Sequence, residues 1–228
     1  MREIKLSKRL RTAASYVRSG AFVADIGTDH AYLPIYLVLN EIAVKALASD
    51  INEGPILKAR ENISRYVLGD KISTQIAGGL DGIESFSPTD IVICGMGGEL
   101  IAKIIDASSY AKKEGVRLIL QPMTCATELR EYLLDGFCIV DESIVCEDGK
   151  IYQIICAEYD GKSHTYTKAE LELGKRNIEK RADGYKELLF SIIAKKEKKL
   201  SGMRLGCQDT TELEEEIKEL EKLKNDVL

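Results

Sequence analysis

Histidine is scarce in this 228-residue chain: His30 and His164 are the only two. The six cysteines, at 94, 125, 138, 146, 156 and 207, include no C-x-x-C pair. These two shortages argue against a structural zinc site, which draws on paired cysteines and histidines at short spacing, so no metal is expected. Most of the cysteines stand in apolar runs, where a free thiol behaves as a small buried hydrophobe. No apolar run approaches the ~18 residues that a membrane-crossing helix needs. The first ten residues, Met1 to Leu10, are charged, with helical spacing and no apolar stretch of the kind a signal peptide carries. The expectation is a cytoplasmic protein with no membrane partner.

What is present is an ordinary globular composition, 45% hydrophobic, with a net charge of −5. The charge is unevenly spread. Residues 1–20 carry a net +5, residues 21–160 a net −11, residues 161–200 a net +5 and residues 201–228 a net −4. Two basic segments flanking an acidic centre could grip a polyanion, or could simply be solvated faces of amphipathic helices.

The spacing predicts a helix over 4–18, stopped by Gly20. Strands follow at 21–25, 46–50, 72–77, 90–94 and 117–121. Helices are expected at 32–40, from Pro55 to near Gly69, at 98–106 and at 125–134. Two further strands, 137–147 and 151–159, flank Glu147-Asp148-Gly149-Lys150, whose Asp-Gly pair is a strong hairpin signal. Five β/α units closed by an antiparallel hairpin make an α/β, Rossmann-like sheet of the class I S-adenosylmethionine-dependent methyltransferase type, distinct from the all-parallel dehydrogenase sheet. After Gly161 the pattern is helical. Thr167-x-x-Glu170 and Thr211-x-x-Glu214 read as capping boxes. Leu188, Leu189, Ile192, Ile193 and Leu200 line one long helix, and Leu213, Ile217, Leu220 and Leu223 a second. The expected organisation is a Rossmann-like domain over 1–160 with a basic N-terminal helix, then an antiparallel coiled-coil hairpin over 161–228. A Lys-rich first helix and a Glu-rich second would attract along their flanks.

The chemistry concentrates at strand ends. Val23 to Pro34 reads strand, acidic residue, glycine turn, helix, which presents a nucleotide-like ligand at the carboxyl end of a first strand. Asp25, Gly27 and Thr28 close that strand. Asp50, with Ile51 and Asn52, ends the second, where a carboxylate accepts hydrogen bonds from ribose hydroxyls. Gly78, Gly79 and Leu80 follow the third and should pass beside an adenine ring. Gly95 and Met96 follow the fourth, and Gln121-Pro122 ends the fifth. A lone acidic residue after a strand is ordinarily a helix cap; five such strand ends in order are a site. The second and third positions of the usual glycine pattern hold Asp29 and Ala31. A carboxylate beside a pyrophosphate would be repelled, whereas beside a sulfonium it is tolerated, which favours S-adenosyl-L-methionine over NAD.

Leu6-Ser7-x-Arg9-Leu10, Asp25 to Pro34, Ser49-Asp50-Ile51-Asn52, Gly95 to Gly98, Ile119 to Pro122 and Glu147 to Tyr152 together resemble the bacterial tRNA (adenine-22-N1)-methyltransferase family. The likeness spans roughly residues 5–160 and continues into the helical hairpin. It implies methyl transfer from S-adenosyl-L-methionine, leaving S-adenosyl-L-homocysteine, to N1 of adenine-22 in tRNA. On that reading Asp29, His30 and Tyr32 are the catalytic candidates. Asp29 would face the cationic product base or its 6-amino group, or merely cap a helix. His30 would bond cofactor or base, or pack. Tyr32 would stack on the target base or join the core. Enzymes acting on the exocyclic amine usually carry an Asn/Asp-Pro-Pro-aromatic motif after strand four; Gly95-Met96-Gly97-Gly98 stands there instead, which fits ring-nitrogen chemistry. Lys5, Lys8, Arg9 and Arg11, with Lys175, Arg176, Lys180 and Arg181, are the candidates for tRNA phosphates, with a salt bridge to the acidic core domain as the lesser alternative for Arg9. A small-molecule methyltransferase and a non-catalytic RNA-binding scaffold are the competing readings. Monomer and homo-oligomer stay equally open.

Overall fold

The computed structural model describes residues 4–225. The first three residues of the basic N-terminal segment and the last three of the acidic tail lie outside the described residues.

Seven strands form one sheet in the order β3-β2-β1-β4-β5-β7-β6. β1 (Ala21–Ile26), β2 (Ala43–Asp50), β3 (Ile72–Ile76), β4 (Asp90–Met96) and β5 (Arg117–Pro122) are parallel, whereas β7 (Lys150–Ser163) runs antiparallel to both β5 and β6 (Asp135–Glu147). This is the class I methyltransferase sheet expected from the Asp-Gly hairpin. The strand order reverses at β1/β4, and in an open α/β sheet the crevice for a ligand lies at that switch point, outside the carboxyl ends of the strands.

Central strands are buried on both faces and read as near-continuous apolar runs. One face is covered by α1 (Lys8–Ser15), α2 (Tyr32–Leu39) and α3 (Glu53–Arg65), packing Ala13, Ile35, Leu37 and Ile63 against Val23 and Val92. The other is covered by α4 (Gly98–Asp106) and α5 (Ala126–Leu133), through Ile101, Ile105, Leu129 and Leu133. Each such fully buried aliphatic side chain contributes about 1.5–3 kcal/mol. α1 is shorter than its periodicity predicts. Ser7 ends the extended entry and its hydroxyl accepts from the Leu10 amide at 3.3 Å, so the helix begins at Lys8.

The C-terminal region departs from expectation in two ways. The first long helix is intact as α8 (Tyr185–Leu205), but the stretch from the Thr167 cap up to it is divided into α6 (Lys168–Leu173) and α7 (Lys175–Lys180), with left-handed φ at Gly174, Arg181 and Gly184. The break at Gly174 has a cause in the sheet. The Glu142 carboxylate from β6 sits beneath it, 2.6 Å from where a Cβ would stand, and accepts the Arg176 amide at 3.1 Å. Second, only Thr167–Glu170 forms a capping box. Thr211 is the first residue of α9 (Thr211–Asn225); its amide and hydroxyl both donate to Asp209, at 3.0 and 2.7 Å, and the Thr210 hydroxyl bonds the Glu214 carboxylate at 2.9 Å. α8 and α9 pack as the expected antiparallel pair through Leu189, Ile193 and Leu220, laced by Lys196–Glu216 and Arg204–Glu214 ion pairs. Ile144 of β6 joins that apolar cluster, and β7 runs three residues past 160.

Candidate active site

The site is assembled at the carboxyl ends of β1, β2 and β4. Asp25 closes β1 opposite Ala48 and Val92, and is buried. Its carboxylate accepts the Thr28 hydroxyl at 2.6 Å. Burial pushes its pKa up to about 6; the Thr28 bond works against this, and Asp29 and Asp50 add to it. Gly27 and Thr28 both donate their amides to the Ser49 carbonyl, at 2.8 and 2.9 Å, which ties the turn after β1 to the end of β2. Gly27 has φ +72°, and a Cβ there would collide with the Cε methyl of Met96. Only glycine leaves the backbone bare at this point.

Next come two non-glycine residues in the left-handed region, His30 and Ala31, both at φ 58°. Such a pair is strained, and strain of this kind concentrates at functional turns. Asn62 of α3 holds the kink by donating to the His30 carbonyl at 3.0 Å, a contribution that sequence reading missed. The kink throws the Asp29 side chain outward, 83% exposed, with the His30 Nε2 3.6 Å from its carboxylate. Asp29 does not cap α2, whose N-cap is Ala31 with no side-chain bond. His30 and Tyr32 stand side by side, ring centroids 5.6 Å apart and tilted by 56°. Tyr32 is 41% exposed rather than part of the core. Asp29, His30 and Tyr32 thus form one accessible group at the mouth of the crevice.

At β2, Asp50 is half-buried and accepts the Asn52 amide at 2.7 Å, while Ile51 is largely exposed. A Cβ on Gly78 would sit 3.7 Å from Ile51 and 3.6 Å from the Asp81 carboxylate, so the ends of β2 and β3 face one another. Gly79 and Gly82 line a cleft of about 360 Å³ that runs on to Lys103 and Ile104 of α4, and Leu80 beneath them is buried.

A second cleft, of about 260 Å³, is lined by Arg9, Asp25, Gly27, Asp29, Cys94 and Gly95. Arg9 belongs to this cleft rather than to the outer surface. Its guanidinium donates to Gln121 of β5, which also accepts the Gly95 amide at 3.2 Å, and it lies 5.5 Å over the Tyr152 ring. The hairpin expected from Asp-Gly holds α1 in place for this. Glu147 accepts the amides of Lys8 and Arg9, at 2.5 and 3.2 Å, and the Lys8 bond above all lowers its pKa. The Leu6-Ser7-x-Arg9-Leu10 motif was the available signal for this placement. Burial pushes the Cys94 thiol up, with Asp25 adding and Arg9 opposing, so it stands as a neutral thiol.

The other basic candidates are disposed differently. Lys5, Lys8 and Arg11 are exposed, as is Arg181. Lys175 pairs with Glu170 at 3.7 Å, Arg176 with Glu179 at 2.8 Å and Lys180 with Asp141 at 2.7 Å. Among the described residues, no helix is long and apolar enough to cross a membrane.

A family profile described as "Methyltransferase domain" matches residues 6–155. The chain is 43% identical over 175 residues, 76% of its length and 74% of the relative's, to the tRNA (adenine(22)-N(1))-methyltransferase of Bacillus subtilis strain 168. The chain belongs to that family, the TrmK family. Two crystal structures extend the likeness. A Streptococcus pneumoniae TrmK-like protein, in complex with S-adenosyl-L-methionine, superposes with a TM-score of 0.84 at 34% identity, covering 96% of this chain and 99% of that one. Mycoplasma capricolum TrmK, in complex with S-adenosyl-homocysteine, gives 0.79 at 28% identity, covering 95% and 96%. TrmK chains thus share the sheet, the switch point and the C-terminal helix pair described above.

Proposed function

We propose that this chain methylates N1 of adenine-22 in tRNA, with S-adenosyl-L-methionine as donor and S-adenosyl-L-homocysteine as product. The 43% identity with the B. subtilis enzyme carries the reading. The strand ends fit the donor: bare glycine backbone at Gly27 where a Cβ has no room, a carboxylate, Asp50, at the end of β2, and a cleft shared by one cation, Arg9, and two acids, Asp25 and Asp29.

Asp50 is assigned to the ribose hydroxyls, with Ile51 and Asn52 beside it. Gly78, Gly79 and Leu80 flank the adenine end. Asp25, Gly27, Thr28, Gly95 and Met96 form the floor at the switch point. The bound donor supplies an electrophilic methyl group on a sulfonium. Adenine N1 has an in-plane lone pair at neutral pH, so the chain needs no base to activate it. The protein's contribution is alignment and exclusion of water, which for well-oriented groups reaches ~7 kcal/mol or more. Tyr32, at the mouth, offers a face on which the extruded base stacks. Asp29 lies beside it and stabilises the positive charge that develops on the purine ring. His30 orients that carboxylate. For the tRNA backbone, Lys5, Lys8, Arg11 and Arg181 are the exposed cations; Lys175, Arg176 and Lys180 act there only by releasing their carboxylate partners. A tRNA substrate places this work in the cytoplasm.

Labelled methyl transfer to an unmodified tRNA transcript, followed by nucleoside analysis, tests the assignment. The expected product is 1-methyladenosine. N6-methyladenosine, or labelling of free nucleosides alone, would return the chain to the competing methyltransferase readings.

A further inference from the structure

At the other end of the sheet the structure brings Cys138 onto a pair of ligating side chains four residues apart, Asp160 and His164. Cys138 lies near the start of β6, Asp160 near the end of β7 and His164 just beyond it. Cys138 pairs with Glu158, which in turn pairs with Arg117 at the beginning of β5, so the group sits at the amino-terminal edge of the parallel strands, opposite the methyl-transfer crevice. The left-handed φ of Gly161 turns the chain, and the His164 Nε2 comes back to within 3.0 Å of the Asp160 carboxylate. The Cys138 Sγ, the Asp160 oxygen and the His164 nitrogen all lie within 4.8 Å of one another.

We propose that Cys138, Asp160 and His164 form a binding site for a divalent transition metal of the zinc class. Tetrahedral zinc places its ligand atoms roughly 3.3–3.8 Å apart, given bonds of about 2.0–2.3 Å to N, O and S. Closing the present triangle takes side-chain movements of about an ångström. A thiolate, an imidazole nitrogen and one carboxylate are a borderline-soft set that suits zinc or cobalt and is poorly matched to calcium or magnesium. Their two negative charges balance one divalent ion. On binding, the thiol proton leaves to solvent, and the His164 proton resides on Nδ1 so that Nε2 can bond the metal.

Nearby cations would oppose the ion: Lys162 acts on Asp160 from the solvent-exposed side, while the two that line the adjoining cleft are already compensated. Arg176 donates to Glu179 and to the Ile139 carbonyl, and Lys175 pairs with Glu170. Cys138 and His164 also line a cleft of about 320 Å³ with Ser163, Thr165 and Tyr166. That leaves the fourth coordination position open to water or a small anion. The Asp160 and His164 side chains are each 29% exposed, so the ion has an entry path. A metal here would fasten β6 and β7 together where β7 leaves the sheet for the helical region.

The full chain, reduced and freed of metal with a chelator, is titrated with Co2+ and then with Zn2+. One Co2+ per chain is expected, with a thiolate-to-cobalt charge-transfer band that Zn2+ bleaches, and the melting temperature rises by several degrees at saturating Zn2+. Cys138→Ser abolishes the band, and Asp160→Asn and His164→Ala each weaken binding at least tenfold. Cys207→Ser, at an exposed cysteine in the α8–α9 turn, leaves it intact. Circular dichroism and S-adenosyl-L-homocysteine affinity report folding of each variant at the distant crevice. Absence of a band and of Zn2+ uptake in the folded wild type overturns the proposal. So does a band that survives in Cys138→Ser, or one lost in Cys207→Ser.

Discussion

The side chain of Met96, at the end of β4, lies against the bare α-carbon of Gly27, at the end of β1. The two strands flank the switch point, so this contact lies at the base of the proposed cofactor crevice. Gly27→Ala would add left-handed strain of about 1–2 kcal/mol and push the Met96 thioether elsewhere. Met96 is flexible, so the protein should still fold. The displaced methyl has the crevice to move into, and S-adenosyl-L-homocysteine affinity should fall at least tenfold. Calorimetric titration alongside a thermal melt checks both; unchanged affinity would mean the ligand does not approach Gly27.

Asp25 gives a pH signature. Its folded pKa is raised to about 6, chiefly by burial, against an ordinary 3.8. Between those values the folded state keeps a proton that the unfolded chain has released. The resulting stability is therefore fully present below the lower value and is lost as pH rises through the upper one, by about 3 kcal/mol. Asp25→Asn keeps the Thr28 bond and removes the titration. Relative to this variant, the wild type should lose stability from pH 4 to pH 6 and level off above pH 7, measured by urea unfolding. A difference that does not vary with pH would contradict the raised value.

Asp29 is exposed and does not cap its helix. Because this carboxylate is solvent-exposed, Asp29→Asn should lower kcat by roughly 10–100-fold, less than the ~100–1,000-fold for losing one charge-stabilising group in a water-excluded site. The affinity for S-adenosyl-L-homocysteine should change less than threefold. Loss of cofactor binding with kcat preserved would move Asp29 from the base to the cofactor.

Arg130 and Glu142 are both fully buried and bonded at 2.7 Å, and Arg130 also donates to Gln153 and the Leu171 carbonyl. Removing one partner strands a buried charge, so Arg130→Met should cost about 3–5 kcal/mol. Combining it with Glu142→Leu should recover at least half, since the uncompensated carboxylate is then gone. Denaturant unfolding decides this; equal loss in the single and double variants would show that the bonds to Gln153 and Leu171 dominate.

The convergence of strand ends beside one another was legible because they mark themselves with short polar runs after apolar ones: Asp25-Ile26-Gly27, Ser49-Asp50 and Cys94-Gly95-Met96. The hairpin was legible from Asp148-Gly149. What sequence hid were long-range causes. Gly174 breaks an otherwise helical stretch because Glu142, 32 residues earlier, occupies the space beside it. The acidic-core alternative for Arg9 could not name its partner: the guanidinium goes to the neutral Gln121, and Glu147 takes the Arg9 backbone amide instead. Asn62 steadies His30 from a different helix. Cysteine and histidine counts weigh local spacing, whereas Cys138 reaches the Asp160–His164 pair only through the β6–β7 pairing.

The most direct test of the central claim is methyl transfer to two unmodified tRNA transcripts that differ only in carrying adenine or guanine at position 22. The account predicts labelling of the adenine transcript alone, recovered as 1-methyladenosine at position 22. Equal labelling of both would contradict it by placing the target elsewhere on the tRNA.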